Sequence, residues 1–502
     1  MWPIHVTSLV ASVVLLGPKL SAQSPSGPAL TPVAIVHVTL IAMTGAPPVP
    51  DQTVVTDGRR IIAIGPAADI RVPAGTRRID GRGAFLIPGL WDMHVHLAGD
   101  RESRQVDFPL FLANGVTGVR DMWGDCTSPC ASDDSGDSTG FAPSAATVQS
   151  WKHDVAAGVL LGPRIVAASN ILDGPKPFWP GSLPITDTNA ARRAVETAAR
   201  NGADFIKVYD GLEPGPYFTV LRTARRLGLP VAGHLSRISL ATASDSGQKS
   251  LEHLGGIATA CTRDSVGLAN ARAQFVQDTV PSTKWAAFHV YAKLLVTTFD
   301  ESRCAPLFGT FVRNHTWHTP TLSVRRSLAF LSDSAFLADP RVRYTPPTLR
   351  ARWDPANDFR LRGVTGDYYA GARAYLEGSG RIVLALQRAG VRILAGSDVR
   401  NAFVFPGFGL HDELGLLVGA GLTPQEALES ATIAPARFLA ATDSLGTVEV
   451  GKLADLVLLG GDPLQDIGNT KRVLAVVANG VHLDRAALNV LLAGAERAAK
   501  AH

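Results

Sequence analysis

His94 and His96 stand two residues apart at the end of the apolar run Phe85-Leu86-Ile87-Pro88-Gly89-Leu90-Trp91-Asp92-Met93. Side chains two apart on a strand share a face, so both imidazoles can converge on one metal ion. The pair alone is a weak signal, because a histidine at a strand end is more often a hydrogen-bonding group. It gains force from residues placed the same way elsewhere. Lys207 lies in Asp204-Phe205-Ile206-Lys207-Val208-Tyr209, His234 in Val231-Ala232-Gly233-His234, His253 in Ser250-Leu251-Glu252-His253, and Asp398 in Ile393-Leu394-Ala395-Gly396-Ser397-Asp398. Each is a polar residue at or near the C-terminal end of an apolar run. Imidazole and carboxylate donors suit Zn²⁺, with Mn²⁺ or Co²⁺ as further candidates.

The elements that must position these residues follow from periodicity. Short apolar strands are predicted at 85–94, 118–122, 164–168, 204–209, 231–235, 250–253, 318–324 and 391–396, with helical patterns such as 188–201 and 217–227 between them. This alternation predicts an α/β fold, a (β/α)8 TIM barrel, with a doubly wound sheet as the alternative. In a barrel the C-terminal strand ends form the active-site mouth, so His94, His96, Lys207, His234, His253 and Asp398 would meet there. Residues 33–83 read as a small antiparallel sheet with a hairpin at Asp57-Gly58. The strand patterns at 452–459 and 473–478 are expected to pair with it, giving a small β-sandwich domain split between the two ends of the chain. The expected divisions are 1–22 signal peptide, 23–83 and 443–484 β-domain, 84–442 barrel and 485–502 terminal helix. Segments 124–150 and 262–315 read as insertions, the second a candidate lid.

Composition bounds the function class. The 502 residues are 46% hydrophobic and 18% charged, an ordinary globular balance. The net charge of +4 comes without a Lys/Arg stripe or a basic arm, so nucleic-acid binding has little support. Ser8 to Gly17 is a short apolar run followed by Leu20-Ser21-Ala22, which reads as a secretory signal cut after Ala22 and places the protein outside the cell or in a periplasm. No later stretch reaches about 18 uninterrupted apolar residues, so stable membrane insertion is not expected. The four cysteines allow three pairings. The expected pairs are Cys126–Cys130 and Cys261–Cys304, and no CxxC metal spacing occurs.

The motifs Pro-Gly-Leu-Trp-Asp-Met-His-Val-His, Val-Thr-Gly-Val-Arg-Asp-Met, Phe-Ile-Lys-Val-Tyr, Gly-His-Leu, Leu-Glu-His and Ala-Gly-Ser-Asp together resemble the amidohydrolase superfamily. The likeness is to its secreted imidazolonepropionase-like and prolidase-like branch, which includes ochratoxin-hydrolysing amidases, and it runs from about residue 33 to residue 484. The resemblance implies that His94, His96 and Asp398 hold one divalent ion, that His234 and His253 hold a second, and that Lys207 bridges both as an N-carboxylate. A lysine ammonium has no lone pair for a metal, whereas its carboxylate has two oxygens. The implied reaction is amide hydrolysis by a metal-activated hydroxide, with Asp398 moving the proton. Dipeptides, N-acyl amino acids or ochratoxin-like amides, including those bearing a free carboxylate, are the expected small-molecule substrates. A lactone, ester or phosphotriester is the alternative bond, and a non-catalytic binding protein is disfavoured by the intact ligand set.

Other residues carry less specific expectations. Tyr209 shares a face with Lys207, and in related dipeptidases a tyrosine at the matching place binds the substrate carboxylate. His318 is a candidate substrate contact. Arg120-Asp121, ending the second strand, reads as a support behind the ligands or as structural, and His411 reads as a structural hydrogen bond. Gly396-Ser397-Asp398 lacks the Gly-x-Ser-x-Gly pattern, so no serine nucleophile is expected. A homo-oligomer is compatible with the sequence but not specified by it.

Overall fold

The computed structural model describes residues 31–97, 102–123, 145–179, 181–361 and 363–501. The expected signal peptide and the Cys126–Cys130 pair lie outside these residues. Among them, no helix is long and apolar enough to cross a membrane.

Two parallel sheets carry the site. The first has three strands, β1 (Leu90–Val95), β2 (Val116–Asp121) and β3 (Arg164–Ala167), in that order. The second has seven. Its path runs through β4 (Ile206–Val208), β5 (Val231–Gly233), β6 (Ser250–Glu252), β7 (Trp317–Thr319) and β8 (Arg392–Ile393), after two short strands, Leu183–Pro184 and Leu172–Asp173. Backbone hydrogen bonds join the sheets on both sides. Asp204 N–H donates to Ala167 O (2.9 Å) and Ser169 N–H to Phe205 O (2.8 Å); Met93 N–H donates to Ala395 O (2.9 Å) and Asp398 N–H to His94 O (2.8 Å).

The strands are apolar on both faces because helices cover them. Ile206 and Val208 of β4 pack with Tyr217, Val220 and Ala224 of the helix Pro214–Arg226. Lys207, between them, is thereby turned to the opposite side of the strand. The neighbouring helix Thr188–Arg200 starts where the Asp187 carboxylate accepts the Ala190 N–H at 2.8 Å, and it buries Ala191 and Val195.

The N- and C-terminal segments meet in one eight-stranded sheet. The join is an antiparallel pairing of Phe85–Pro88 with Leu456–Leu459. The sheet is mixed rather than antiparallel, since Arg77–Asp80 and Phe85–Pro88 both run parallel to Val33–Leu40.

Two strand expectations are corrected. The run 85–94 is two strands in different sheets, broken at Gly89. A Cβ there would lie 2.0 Å from Thr117 Oγ1, and Pro88 offers no N–H to continue a ladder. Phe85–Pro88 thus joins the sheet of the terminal segments, and Leu90–Val95 the first parallel sheet. The strand predicted at 318–324 is instead Trp317–Thr319, and Leu322 already opens a helix, Leu322–Phe330. Pro320 and the left-handed Thr321 (φ 51°) end the ladder, a break that apolar periodicity alone does not register.

The 262–315 insertion is helical: α1 (Ser265–Gln277), α2 (Pro281–Thr297) and α3 (Glu301–Arg313). The Cys261–Cys304 disulfide ties its start to α3. The terminal helix spans Arg485–Ala501.

Candidate metal centre

All six expected ligands line one cavity of about 430 Å³. Asp398 is its hub. Its Oδ1 lies 2.9 Å from His96 Nε2 and 3.6 Å from His94 Nε2, and its Oδ2 lies 3.8 Å from His253 Nδ1. His94, His253 and Asp398 each offer a ligand atom within 4.8 Å of the others. His234 continues the cluster, its ring centroid 5.1 Å from that of His253. Lys207 is 1% exposed and faces the same cavity.

This donor set fits divalent cations. His94 Nε2 and His96 Nδ1 are buried and have no hydrogen-bond partner among the described residues. Such orphaned atoms are costly unless something occupies their lone pairs. Imidazoles with a carboxylate are the donors that Zn²⁺ and its neighbours accept.

The backbone that presents the ligands is unusual at two of them. His253 (φ 62°) and Asp398 (φ 60°) both lie in the left-handed region. Strict alternation would send Glu252 and His253 to opposite faces of β6. The positive φ breaks the alternation, so Glu252 bonds to His94 while the His253 ring packs 4.7 Å from the His94 ring.

Four supporting groups were not singled out by sequence reasoning. Glu252 Oε2 accepts the His94 Nδ1 proton at 2.9 Å, which leaves His94 Nε2 to face Asp398. Arg120, which the sequence reading took as a support behind the ligands or as structural, holds Glu252 with Nη2 at 3.0–3.1 Å and donates further to Met93 O, Ser250 Oγ and Thr319 Oγ1. Asp210 Oδ2 lies 3.2 Å from His234 Nδ1, and Thr321 Oγ1 lies 2.6 Å from His253 Nδ1. Asp92 binds the Ser397 hydroxyl (2.5 Å) and N–H (2.9 Å), stitching β1 to the segment after β8. Glu252 and Asp92 both stood inside the quoted motifs. Their adjacency to ligands was the available signal.

The electrostatics are set by burial and by the cluster itself. Burial would raise the Asp398 carboxyl, but the surrounding imidazoles of His94, His96 and His253 favour its ionised form and hold it far below the ordinary range, so it is a carboxylate. Burial brings His94 down to about 4. His253 is likewise held well below its ordinary value, chiefly by burial, so both imidazoles are neutral and able to ligate. Burial also lowers Lys207, to about 8. Burial would raise Glu252, yet Arg120 and then His94 bring it well below the usual carboxylate range.

Around the ligands the cavity wall is aromatic, with Trp123, Trp179 and Trp353. Tyr209 lines it too, its hydroxyl oxygen accepting the Trp179 Nε1 proton at 2.6 Å. The structure does not bring His318 to this cavity. The residue is fully buried on β7, with its ring 4.4 Å from that of Phe311 and both ring nitrogens unpartnered, so it is corrected from a substrate contact to a packed core histidine. His411 bonds to Thr470 Oγ1 and Asn114 O, each at 2.9 Å. No residue of the 262–315 insertion lines this cavity; residues from segments 324–360 and 400–402 line it instead.

Comparison with known proteins adds three findings. Residues 85–483 match the profile of the amidohydrolase family. The ochratoxinase of Aspergillus niger is 26% identical over 266 residues, covering 44% of this chain and 54% of that protein. The chain thus spans about half the length of the curated relatives it matches. Among solved structures, bottromycin amidohydrolase superposes with a TM-score of 0.70 at 23% identity, over 96% of this chain and 95% of the other. A Xaa-Pro dipeptidase superposes with a TM-score of 0.61 at 20% identity, over 90% of this chain and all of the other. At these identities the structural likeness is one of fold.

Proposed function

The chain belongs to the amidohydrolase family, and on that premise we propose that it is a metal-dependent hydrolase of amide C–N bonds, built on a closed (β/α)8 barrel and using two divalent cations. The observation that carries this reading is the convergence of His94, His96, His253 and Asp398 around a carboxylate oxygen and two orphaned ring nitrogens. The backbone hydrogen bonds on both sides of the two parallel sheets support the closed barrel.

His94, His96 and Asp398 would hold one cation and His234 and His253 the other, with Lys207, as an N-carboxylate, completing the donor set. Burial lowers the affinity of the Lys207 amine for protons, which enlarges the share of neutral amine, the form that reacts with carbon dioxide. Zinc is the first candidate, with manganese or cobalt next. Cations at this place supply polarisation of the amide carbonyl and make an attacking water acidic near neutral pH. Asp398, the carboxylate at the hub of the cluster, would accept a proton from the attacking water and return it to the leaving nitrogen. Tyr209 stays a neutral donor, because burial raises its hydroxyl. The substrate is a small amide: a dipeptide, an N-acyl amino acid or an ochratoxin-like amide. The Cys261–Cys304 disulfide supports reading the protein as exported.

The test is metal analysis of the purified protein together with hydrolysis of matched amide, ester, lactone and phosphotriester substrates. Two ions per chain with amide turnover is the expected result. Two ions with turnover of esters or lactones alone would keep the centre and replace the bond. No metal and no turnover would overturn the reading.

A further inference from the structure

The helix Phe408–Gly419, which follows β8, grips the helix Leu322–Phe330, which follows β7, through two consecutive acids. Asp412 Oδ2 accepts from Arg326 Nη2 at 2.8 Å. Glu413 is fully buried and accepts three hydrogen bonds at the helix start. Leu322 N–H donates to its Oε1 at 3.0 Å, and the Ser323 N–H and hydroxyl donate to its Oε2 at 2.7 and 2.8 Å. Two of these donors are backbone groups that the first turn of a helix leaves open. Burial pushes the Glu413 carboxyl up to about 7 against the pull of all three, so this is a costly place for a charge. The gripping helix is itself fixed, since His411 bonds to Thr470 Oγ1 and Asn114 O.

Glu413 does not line the metal-site cavity, but the residues it fixes lead there. Thr321, immediately before the helix, donates its hydroxyl proton to Pro320 O at 2.8 Å. Its oxygen, 2.6 Å from His253 Nδ1, therefore accepts. The His253 proton then sits on Nδ1, and Nε2 keeps a lone pair for a cation. Arg325, one turn into the helix, donates to the His253 carbonyl. His253, Leu254 and Thr321 all have left-handed backbone, with φ of 62°, 58° and 51°. Non-glycine residues hold that conformation only where their surroundings impose it. At this junction the constraint runs from Glu413 through the helix start to His253.

We propose that Glu413 is a positioning residue for the cation that His234 and His253 would hold. It fixes the first turn of Leu322–Phe330, and Thr321 and Arg325 carry that constraint to the ring and the backbone of His253. The inference rests on the two-cation reading.

The experiment is calorimetric titration of the metal-free full chain with zinc, in wild type, His234→Ala, Glu413→Gln, Ser323→Ala, Thr321→Val and the double variant Glu413→Gln/Thr321→Val. Wild type is expected to bind in two steps, and the step lost in His234→Ala identifies the cation of His234 and His253. Glu413→Gln should weaken that step by about tenfold and leave the other within about twofold. Ser323→Ala, which removes one donor to Glu413, should weaken it by about threefold, and this variant decides the matter if Glu413→Gln does not fold. In the Thr321→Val background, Glu413→Gln should add less than about threefold, because the two residues act in series. Both steps weakened alike, as a general loosening of the fold would do, would overturn the inference, and so would fully additive losses in the double variant. Two ions in wild type with an unchanged Glu413→Gln would overturn this inference alone. A single ion in wild type would overturn the two-cation reading and this inference with it.

Discussion

At Asp398 three imidazoles surround one carboxylate that burial alone would neutralise. Asp398→Asn keeps the shape and removes both the charge and the proton acceptor. Turnover should fall by about 10³-fold, with the circular dichroism spectrum preserved; a variant keeping a tenth of wild-type activity would refute the shuttle role. Glu252 acts one bond further out, fixing which nitrogen of His94 carries the proton. Glu252→Gln is expected to weaken zinc binding by about 10–100-fold, measured by competition with a chromophoric chelator. Unchanged affinity would reduce the Arg120–Glu252 pair to a structural ion pair. Lys207→Ala should lower metal stoichiometry, with partial recovery in short carboxylic acids, and undiminished stoichiometry would strike lysine from the ligand set.

Strand ends set the tolerances at the next scale. Gly396 lies where the segment after β8 passes β1 and β7. A Cβ added there would sit 2.7 Å from His94 Cβ, 2.9 Å from His94 N and 2.6 Å from Thr319 Cγ2. One of those contacts is backbone, so relief requires moving the strand that carries His94 and His96. Gly396→Ala should cost about 1–3 kcal/mol in urea denaturation and lower the bound metal in parallel. Wild-type metal content in a stably folded variant would mean that the mouth tolerates more movement than this packing implies.

The whole molecule has a pH dependence that belongs to its core as well as to its centre. His318 is buried without partners, and burial brings it down to about 3. An unfolded histidine protonates near pH 6.5. Between those values the unfolded chain binds the extra proton, so stability falls as the pH drops from about 6.5 toward 3, and levels off below. The slope is roughly 1.4 kcal/mol per pH unit, or about 2 kcal/mol by pH 5. His318→Phe, packed beside Phe311, should remove that part of the slope. The check is the urea midpoint of both proteins at pH 7 and pH 5, and parallel losses would show that His318 does not titrate on unfolding.

The sequence by itself determined which residues could ligate and that they sit at the ends of apolar strands, because a strand's period of two and its chemistry are both local. It carried the helix–strand alternation and the joining of the two terminal segments for the same reason. It did not carry the left-handed turns at His253 and Asp398, which are non-glycine residues whose φ is imposed by their neighbours. Nor did it carry the break at Gly89 inside a continuous apolar run, or the burial of His318 against a helix from the insertion. The partnership of Arg120, Glu252 and His94 spans β2, β6 and β1, so only the folded chain could assemble it.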